Sequence, residues 1–382
     1  MIRLGILGGL LILAVILWDA FETIILPRRV MRRVRLTRMF YRFTWLPWRA
    51  LARRMRSGKR KDTFLSYYGP LSLLGLFGVW ALGLIVAFAL LQWGLGSPVS
   101  APPGEVGNFW TDLYFSGTSF FTLGLGDVAP RTPLTRAITV AEAGTGFGFL
   151  AIVISYLPVL YGAFSRREVN ISLLDARAGS PPTVVELLRR NAEAGNLGKL
   201  DSYLRDWELW SAELMESHLS YPVLCYYRSQ HNNQSWLAAL TTVLDGCALT
   251  MAYTEGVCRW QARLTFAISR HALVDLAQTL GVPPHPAPLD RLPAPDFDHV
   301  ERLLARAGLI LRRSAEADRK FAHLREMYEP FAGALAARLV MSLPAWFPAA
   351  EPVDNWRTSA WGRSDQDAVA GAALPAADEE HS

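Results

Sequence analysis

Cysteine is scarce in this chain: three among 382 residues, Cys225, Cys247 and Cys258, all in the second half and none closely paired. So sparse and odd a set excludes a disulfide-stapled scaffold and predicts reduced thiols in a cytosolic compartment. Acidic residues are nearly missing from positions 28–62, where fourteen Lys or Arg face a single Asp. The whole chain is only +5, so the basic character resides in that one segment and the remainder is net acidic. This argues against whole-chain nucleic-acid binding, and the basic segment carries no nucleic-acid-binding motif. Also absent are a G-x-G-x-x-G after a strand, an H-E-x-x-H, a Walker loop and a G-x-S-x-G. Their absence removes the commonest enzyme readings. No catalytic residue, cofactor or resident metal is expected. No stretch stands out with the period-two pattern of a strand. What the chain has in excess is apolar: 51% hydrophobic residues and a mean hydropathy of +0.17, too apolar for an ordinary soluble enzyme.

Three segments are long enough to cross roughly 30 Å of hydrocarbon, at 4–26, about 71–93 and about 138–164. The first lacks a small-x-small cleavage site, and cleavage would leave the arginine block outside, so it reads as a span rather than a signal peptide. The basic block and the pair Arg166–Arg167 should face the cytoplasm. The N-terminus is then outside, residues 95–133 lie on the outer side, and everything after 165 is cytosolic. The expected organisation is a transmembrane helix (1–27), a basic amphipathic linker (28–62), a membrane domain (63–165), a helical cytoplasmic domain (166–348) and a disordered tail (349–382). The location is the plasma or inner membrane.

Between the second and third spans the hydrophobic pattern breaks at TSFFTLGLGDVAP, residues 118–130. The aromatic stretch before it, NFWTDLYFSGTSFF, is too short to span and predicts a helix reaching only partway in. Gly124 and Gly126 then allow backbone angles that residues with a Cβ avoid. Alternating with Leu123 and Leu125, they permit successive carbonyls to turn to one side. Four copies around an axis would stack rings of oxygens that replace the water shell of a cation. Non-helical backbone at membrane depth is tolerated only where it lines such a path or is buried in protein.

Thr122-Leu123-Gly124-Leu125-Gly126-Asp127 resembles the filter of the potassium channel pore family, Thr-Val-Gly-Tyr-Gly-Asp. Trp110, Leu113-Tyr114-Phe115 and Thr118 resemble that family's pore helix. The resemblance covers about residues 65–165 and implies an outer helix, a re-entrant pore helix with its filter, and an inner helix. It implies ion sites at the carbonyls of Thr122, Leu123, Gly124 and Leu125 and the Thr122 hydroxyl, with Asp127 capping the filter outside. Leu125 stands where the family's usual Tyr ties filter to pore helix, and Phe121 where many relatives carry a second Thr. The Gly-Leu-Gly form is similar to the second filter of animal two-pore-domain potassium channels. The Rossmann-type regulatory domain of many prokaryotic channels has no counterpart here.

Within the third span, Glu142 is a carboxylate too costly to leave unpartnered in a membrane, and is expected to bond behind the filter or to the pore helix. Gly144, Gly146 and Gly148 read equally as a hinge or as close-packing positions. Pro158 should bend the helix near a gate. Asp19 and Glu22, three apart near the end of the first span, are expected to pair with the arginines that follow. Arg29, Arg32, Arg35 and Arg38 recur every third residue as in a voltage sensor. The preferred reading is an amphipathic helix on anionic lipid, with Val34, Phe40, Phe43, Trp45 and Trp48 dipping in.

After Arg167 the pattern turns soluble and helical, with helices expected from about 183, over 199–220, and at 255–280, 298–313 and 315–341. The apolar stretch 235–253 carries Asp245 and polar flanks and reads as a buried core helix rather than a fourth span. Residues 282–295 are Pro-rich, a loop or a stiff linker. Glu213, Glu216, His218, Cys225, Arg228, His231 and Asn232 gather in one stretch, but their spacing fits no zinc pattern. The fold class expected is an all-α membrane protein with a potassium-channel-like pore, one extra helix before it and a helical domain after it. The function expected is a homotetrameric potassium channel, assembled or gated by that domain. The alternatives are a weakly selective cation channel, or a membrane-anchored signalling protein or enzyme whose pore-like segment is only structural.

Overall fold

A computed structural model describes residues 2–26, 35–56, 58–100, 108–193, 197–230, 234–254, 259–285 and 290–348. The expected tail (349–382), residues 28–34 of the arginine block, His231, Asn232 and Cys258 lie outside the described residues. The described residues are overwhelmingly helical, with one two-residue ladder as their β structure. The chain is an all-α membrane protein with several helices long and apolar enough to span. It divides into two compact units, residues 1–52 with 67–162 and residues 53–66 with 163–382.

The first unit contains α1 (Ile2–Ala20) with a π turn (Phe21–Ile25), α2 (Leu36–Arg54) up to residue 52, α4 (Tyr68–Gly94), α5 (Phe109–Phe120) and the first part of α6 (Pro133–Ala178). α1 lies along α4 so closely that a Cβ on Gly9 would stand 2.7 Å from the Ala87 carbonyl, the small-residue contact by which membrane helices associate. The end of α1 is held by a polar cluster. Buried Asp19 accepts from the Thr37 amide (3.2 Å), the Thr37 hydroxyl (2.6 Å) and the Trp80 indole (3.1 Å). Glu22 accepts from the Trp18 indole at 2.7 Å and lies 3.4 Å from Arg35 Nε. Both acids therefore have protein partners, and Arg35 is an arginine within ion-pair distance of each.

The basic segment is not one lipid-facing element. It forms α2 and a separate α3 (Lys59–Ser66), and residues 53–66 belong to the second unit. Positions 45, 48 and 52 share one face of α2, positions 39, 43 and 46 the other. Trp45 is buried with its ring 4.7 Å from that of Tyr68, and Thr44 shares a hydrogen bond of 2.9 Å with the Tyr68 hydroxyl. Of the aromatic residues expected to dip into lipid, Trp45 is thus an interior residue, while Phe43 is exposed.

α6 is one unbroken helix of 46 residues that continues through Pro158. The expected span end at 164 and domain boundary at 165/166 therefore fall inside a helix. Nothing between Arg166 and Ala178 stops it; Gly179, with φ +78°, and then Pro181–Pro182 do. Arg167, expected on the cytoplasmic side of the third span, is buried: its guanidinium donates to Glu168 (2.8 Å) and to the Leu224 (3.0 Å) and Tyr227 (3.2 Å) carbonyls.

The second unit holds α3, the rest of α6, α7 (Val184–Glu193), α8 (Leu200–Ser220), α9 (Trp236–Tyr253), α10 (Arg259–Thr279), α11 (Ala294–Arg306), α12 (Ala315–Glu326) and α13 (Glu329–Leu339). α9 is its centre, buried on every face except at Met251. Asp245, its one charge, accepts from Arg291 (2.7 and 3.1 Å) and Tyr328 (2.5 Å). The single helix expected over 315–341 is two: Tyr328, with φ −130°, leaves helical geometry, and Pro330, in the first turn of α13, cannot donate to the turn before it.

Candidate functional site

The site is built on α5. Asn108 caps it by accepting from the Trp110 and Thr111 amides at 2.9 and 3.1 Å. Twelve residues reach about 18 Å, half a membrane's thickness. The chain leaves α5 through two tight bonds, Thr122 N to Ser119 O (3.0 Å) and Leu123 N to Thr118 O (2.8 Å). From there to Asp127 it is neither helix nor strand, and every residue from Phe121 to Asp127 is exposed in the isolated chain.

The backbone of this stretch alternates. Thr122, Gly124 and Gly126 have φ of +58°, +59° and +79°, whereas Leu123 and Leu125 are not among the positive-φ residues. Alternating handedness gathers successive amides on one side, as in anion-binding nests, and therefore gathers the carbonyls on the other. Glycine takes these angles at no steric cost. Thr122 does not, and a non-Gly residue held there costs of order 1 kcal/mol. A row of carbonyls facing one way is a chemical surface for a dehydrated cation.

Asp127 ends the stretch. It accepts from the Tyr114 hydroxyl at 2.8 Å and from the Val128 amide at 3.0 Å. The chain then pairs Ala129–Pro130 (β2) antiparallel with Val99–Ser100 (β1), and Phe115, Val99 and Val128 bury together beneath it. Tyr114 thus ties α5 to the end of the loop. Sequence spacing did not reveal that contact, since Tyr114 and Asp127 are thirteen residues apart and meet only because the loop folds back.

Behind the loop, Glu142 on α6 is fully buried and hydrogen-bonded to Ser116 of α5, while its Oε2 has no hydrogen-bond partner among the described residues. Ser116 also reaches the Ile85 carbonyl of α4 at 2.7 Å, so this one hydroxyl links three helices. Asp112, also buried, accepts from Ser97 at 2.5 Å. The three glycines of α6 separate in role. A Cβ on Gly146 would overlap the Phe120 carbonyl, so this position is required for α5 to lie against α6, whereas Gly144 and Gly148 meet nothing within 4 Å in the chain. Pro158 lies well along α6, without a break there.

The polar stretch of the second unit forms no site of its own. His218 is buried beside Arg167 at 3.2 Å, and burial together with that charge holds its imidazole well below the usual histidine range. Cys225 is buried, and burial pushes its thiol up to about 12. Arg228 donates to the Leu339 and Val340 carbonyls at 2.6 and 2.9 Å. Glu213 and Glu216 are exposed. Among the described residues no group of His, Cys, Asp or Glu could hold a metal ion.

Residues 75–160, which run from within α4 through α5 and the loop to within α6, match a protein family described as "Ion channel". The chain is also similar to the uncharacterized membrane protein YdjJ of Bacillus subtilis (strain 168), 27% identical over 195 residues. That alignment covers 50% of this chain and 54% of the relative, so the chain spans about half the length of the curated relative it matches. No solved structure matches it. The family match is with ion channels, and it falls on the segment whose backbone alternates.

Proposed function

We propose that four copies of this chain form a potassium-selective channel of the plasma or inner membrane. The observation that carries this reading is the alternation of φ through Thr122, Gly124 and Gly126, which faces a row of carbonyls to one side. One chain supplies one row; cyclic symmetry closes four rows into rings. The exposure of residues 121–127 supports the same conclusion, because backbone without helix or sheet at membrane depth needs a protein or ion-path lining that one chain does not provide. Tyr114 supplies the hydroxyl brace that the Leu125 position lacks, acting on Asp127. Thr122, Leu123, Gly124 and Leu125 bind the ions, and Gly126 and Asp127 set the outer end. Glu142 with Ser116 supports the loop from behind, and Gly144, Gly146, Gly148 and Pro158 shape the gating helix.

The N-terminus lies outside and the second unit in the cytoplasm, where it assembles or gates the pore. The outward arginines of residues 28–62 meet anionic lipid. The test is ion flux in liposomes reconstituted with the chain, under a potassium and then a sodium gradient. Uptake driven by potassium alone is expected. Equal uptake of both ions would favour a second reading, a weakly selective cation channel, for which Leu125 speaks: its side chain is 64% exposed and carries no hydrogen-bonding group. No flux of either ion, with the protein tetrameric, would overturn both.

A further inference from the structure

Within the second unit, the last part of α6 has two faces of opposite character. Phe164, Arg167, Glu168, Ile171, Leu174 and Ala178 are buried. On the other side Ser165, Arg166, Val169, Ser172, Leu173 and Ala176 are exposed. Val169 is 56% exposed and Leu173 54%, whereas the other large apolar side chains from 164 to 178 are interior.

This pattern has the period of a packed helical seam. Val169, Leu173 and Ala176 are four and three residues apart, the d, a, d spacing of a heptad. In that register the buried residues occupy positions b, c and f, the positions that a free-standing coiled coil turns to water. Here they pack into the unit's own core, and the a and d line is the one left outside. Helix geometry stacks Val169 and Leu173 one turn apart on the same side, so they form one ridge.

The residues on this line also point to what covers it. A β-branched residue at d with Leu at a favours trimers and tetramers over two-stranded bundles. Copies related by cyclic symmetry present identical helices to one axis, so each ridge would meet its own counterparts in parallel. Arg166, at the a position one heptad before Leu173, puts a charge on the same line and confines the apolar contact to 169–176.

We infer that the ridge of Val169, Leu173 and Ala176 docks on the same ridge of the other copies as a parallel four-helix seam. The inference rests on the four-copy reading and deepens it, since α6 is also the helix that lines the pore in that reading. Little more than one heptad is too short to assemble alone. The seam therefore forms in the full chain, where the membrane part holds the copies at high effective concentration.

The experiment is oxidative crosslinking of the full chain in phosphatidylcholine nanodiscs, with the mass of the assembly and potassium flux in liposomes measured on the same preparations. Val169→Cys and Leu173→Cys should each convert most of the protein to covalent pairs. Glu213→Cys, exposed on α8, should stay at the level of the parent, whose Cys225 and Cys247 are buried. Leu173→Gln should lower the temperature at which the assembly dissociates. Arg166→Leu should raise it, by removing a charge from the line, whereas a position merely facing water would move it in neither case. Four-chain assemblies that conduct potassium without crosslinking at 169 or 173 above the Glu213→Cys level would overturn the seam and leave the channel reading standing. Dissociation temperatures indifferent to both substitutions would overturn it as well. Crosslinked four-chain assemblies without flux would support the seam and count against the channel. Crosslinking in a two-chain assembly would overturn the fourfold seam and the four-copy reading together.

Discussion

The segment Leu4–Ile25 and helix α9 are both long and apolar enough to cross a bilayer, yet 22% of the first is buried against 94% of the second. The contrast extends to the units that contain them. In the second unit the one charge of α9, Asp245, has both oxygens bonded by Arg291. In the first unit Glu142 and Asp112 each keep an oxygen without a hydrogen-bond partner among the described residues, residues 121 to 127 are exposed, and α6 turns Val140, Phe147, Leu150 and Ile154 outward. The second unit pairs its central buried carboxylate from within. The first is completed by lipid and, in the proposed assembly, by its copies.

The sharpest way to break this comparison is Gly124→Ala. A Cβ at φ +59° is strained whatever room surrounds it, and in the proposed assembly four copies multiply the effect about one axis. Flux should fall by more than about a hundredfold, roughly 3 kcal/mol or more, with the tetramer intact by size-exclusion and crosslinking. A tetrameric variant conducting like the parent would mean that residues 122–127 are not the ion path.

Next in size is Arg291→Met. It leaves Asp245 charged and buried at the centre of the second unit, a loss of about 3–5 kcal/mol, read as a lowered melting temperature. Little change would show that the unit does not depend on satisfying its own charges.

Tyr114→Phe tests the brace within the first unit. The bond is exposed in the single chain and worth about 1 kcal/mol, so the potassium-over-sodium permeability ratio should fall by up to about fivefold, with flux retained. An unchanged ratio would relieve Tyr114 of that role.

The smallest effect is one of pH. The folded imidazole of His218 is held below its unfolded value, by burial first and then by Arg167. Above about pH 6.5 both folded and unfolded states are neutral and the contribution is complete. Below it the unfolded chain takes up a proton that the folded chain refuses, and stability falls by about 1.4 kcal/mol per pH unit. His218→Gln should remove that part of the slope in melting temperatures measured between pH 7 and 5. Identical slopes would place the titration elsewhere.

Much of this architecture was legible in the residues. Continuous apolar runs mark the spans because crossing a bilayer requires a minimum length, and Gly124 and Gly126 mark the break because glycine takes left-handed angles without a Cβ clash. The helix entry after Pro181–Pro182 was equally visible; the change of composition at Arg166 lies close to the division of the units at 162/163, although α6 itself runs on to Ala178. Composition reports the solvent a surface meets, whereas a helix ends only where its hydrogen bonds are interrupted.

What the sequence by itself determined is local: which stretches are helical, which are apolar enough for lipid, and where the backbone must turn left-handed. Tertiary structure alone decided the partners. It turned Trp45 inward and Phe43 outward, and brought Tyr114 to Asp127 and Ser116 to Glu142. It also set Arg177 over Tyr203. The physical reason is range. Helix and turn preferences act over a few residues, but a hydrogen bond or a buried ring is satisfied by whatever the fold brings within a few ångströms.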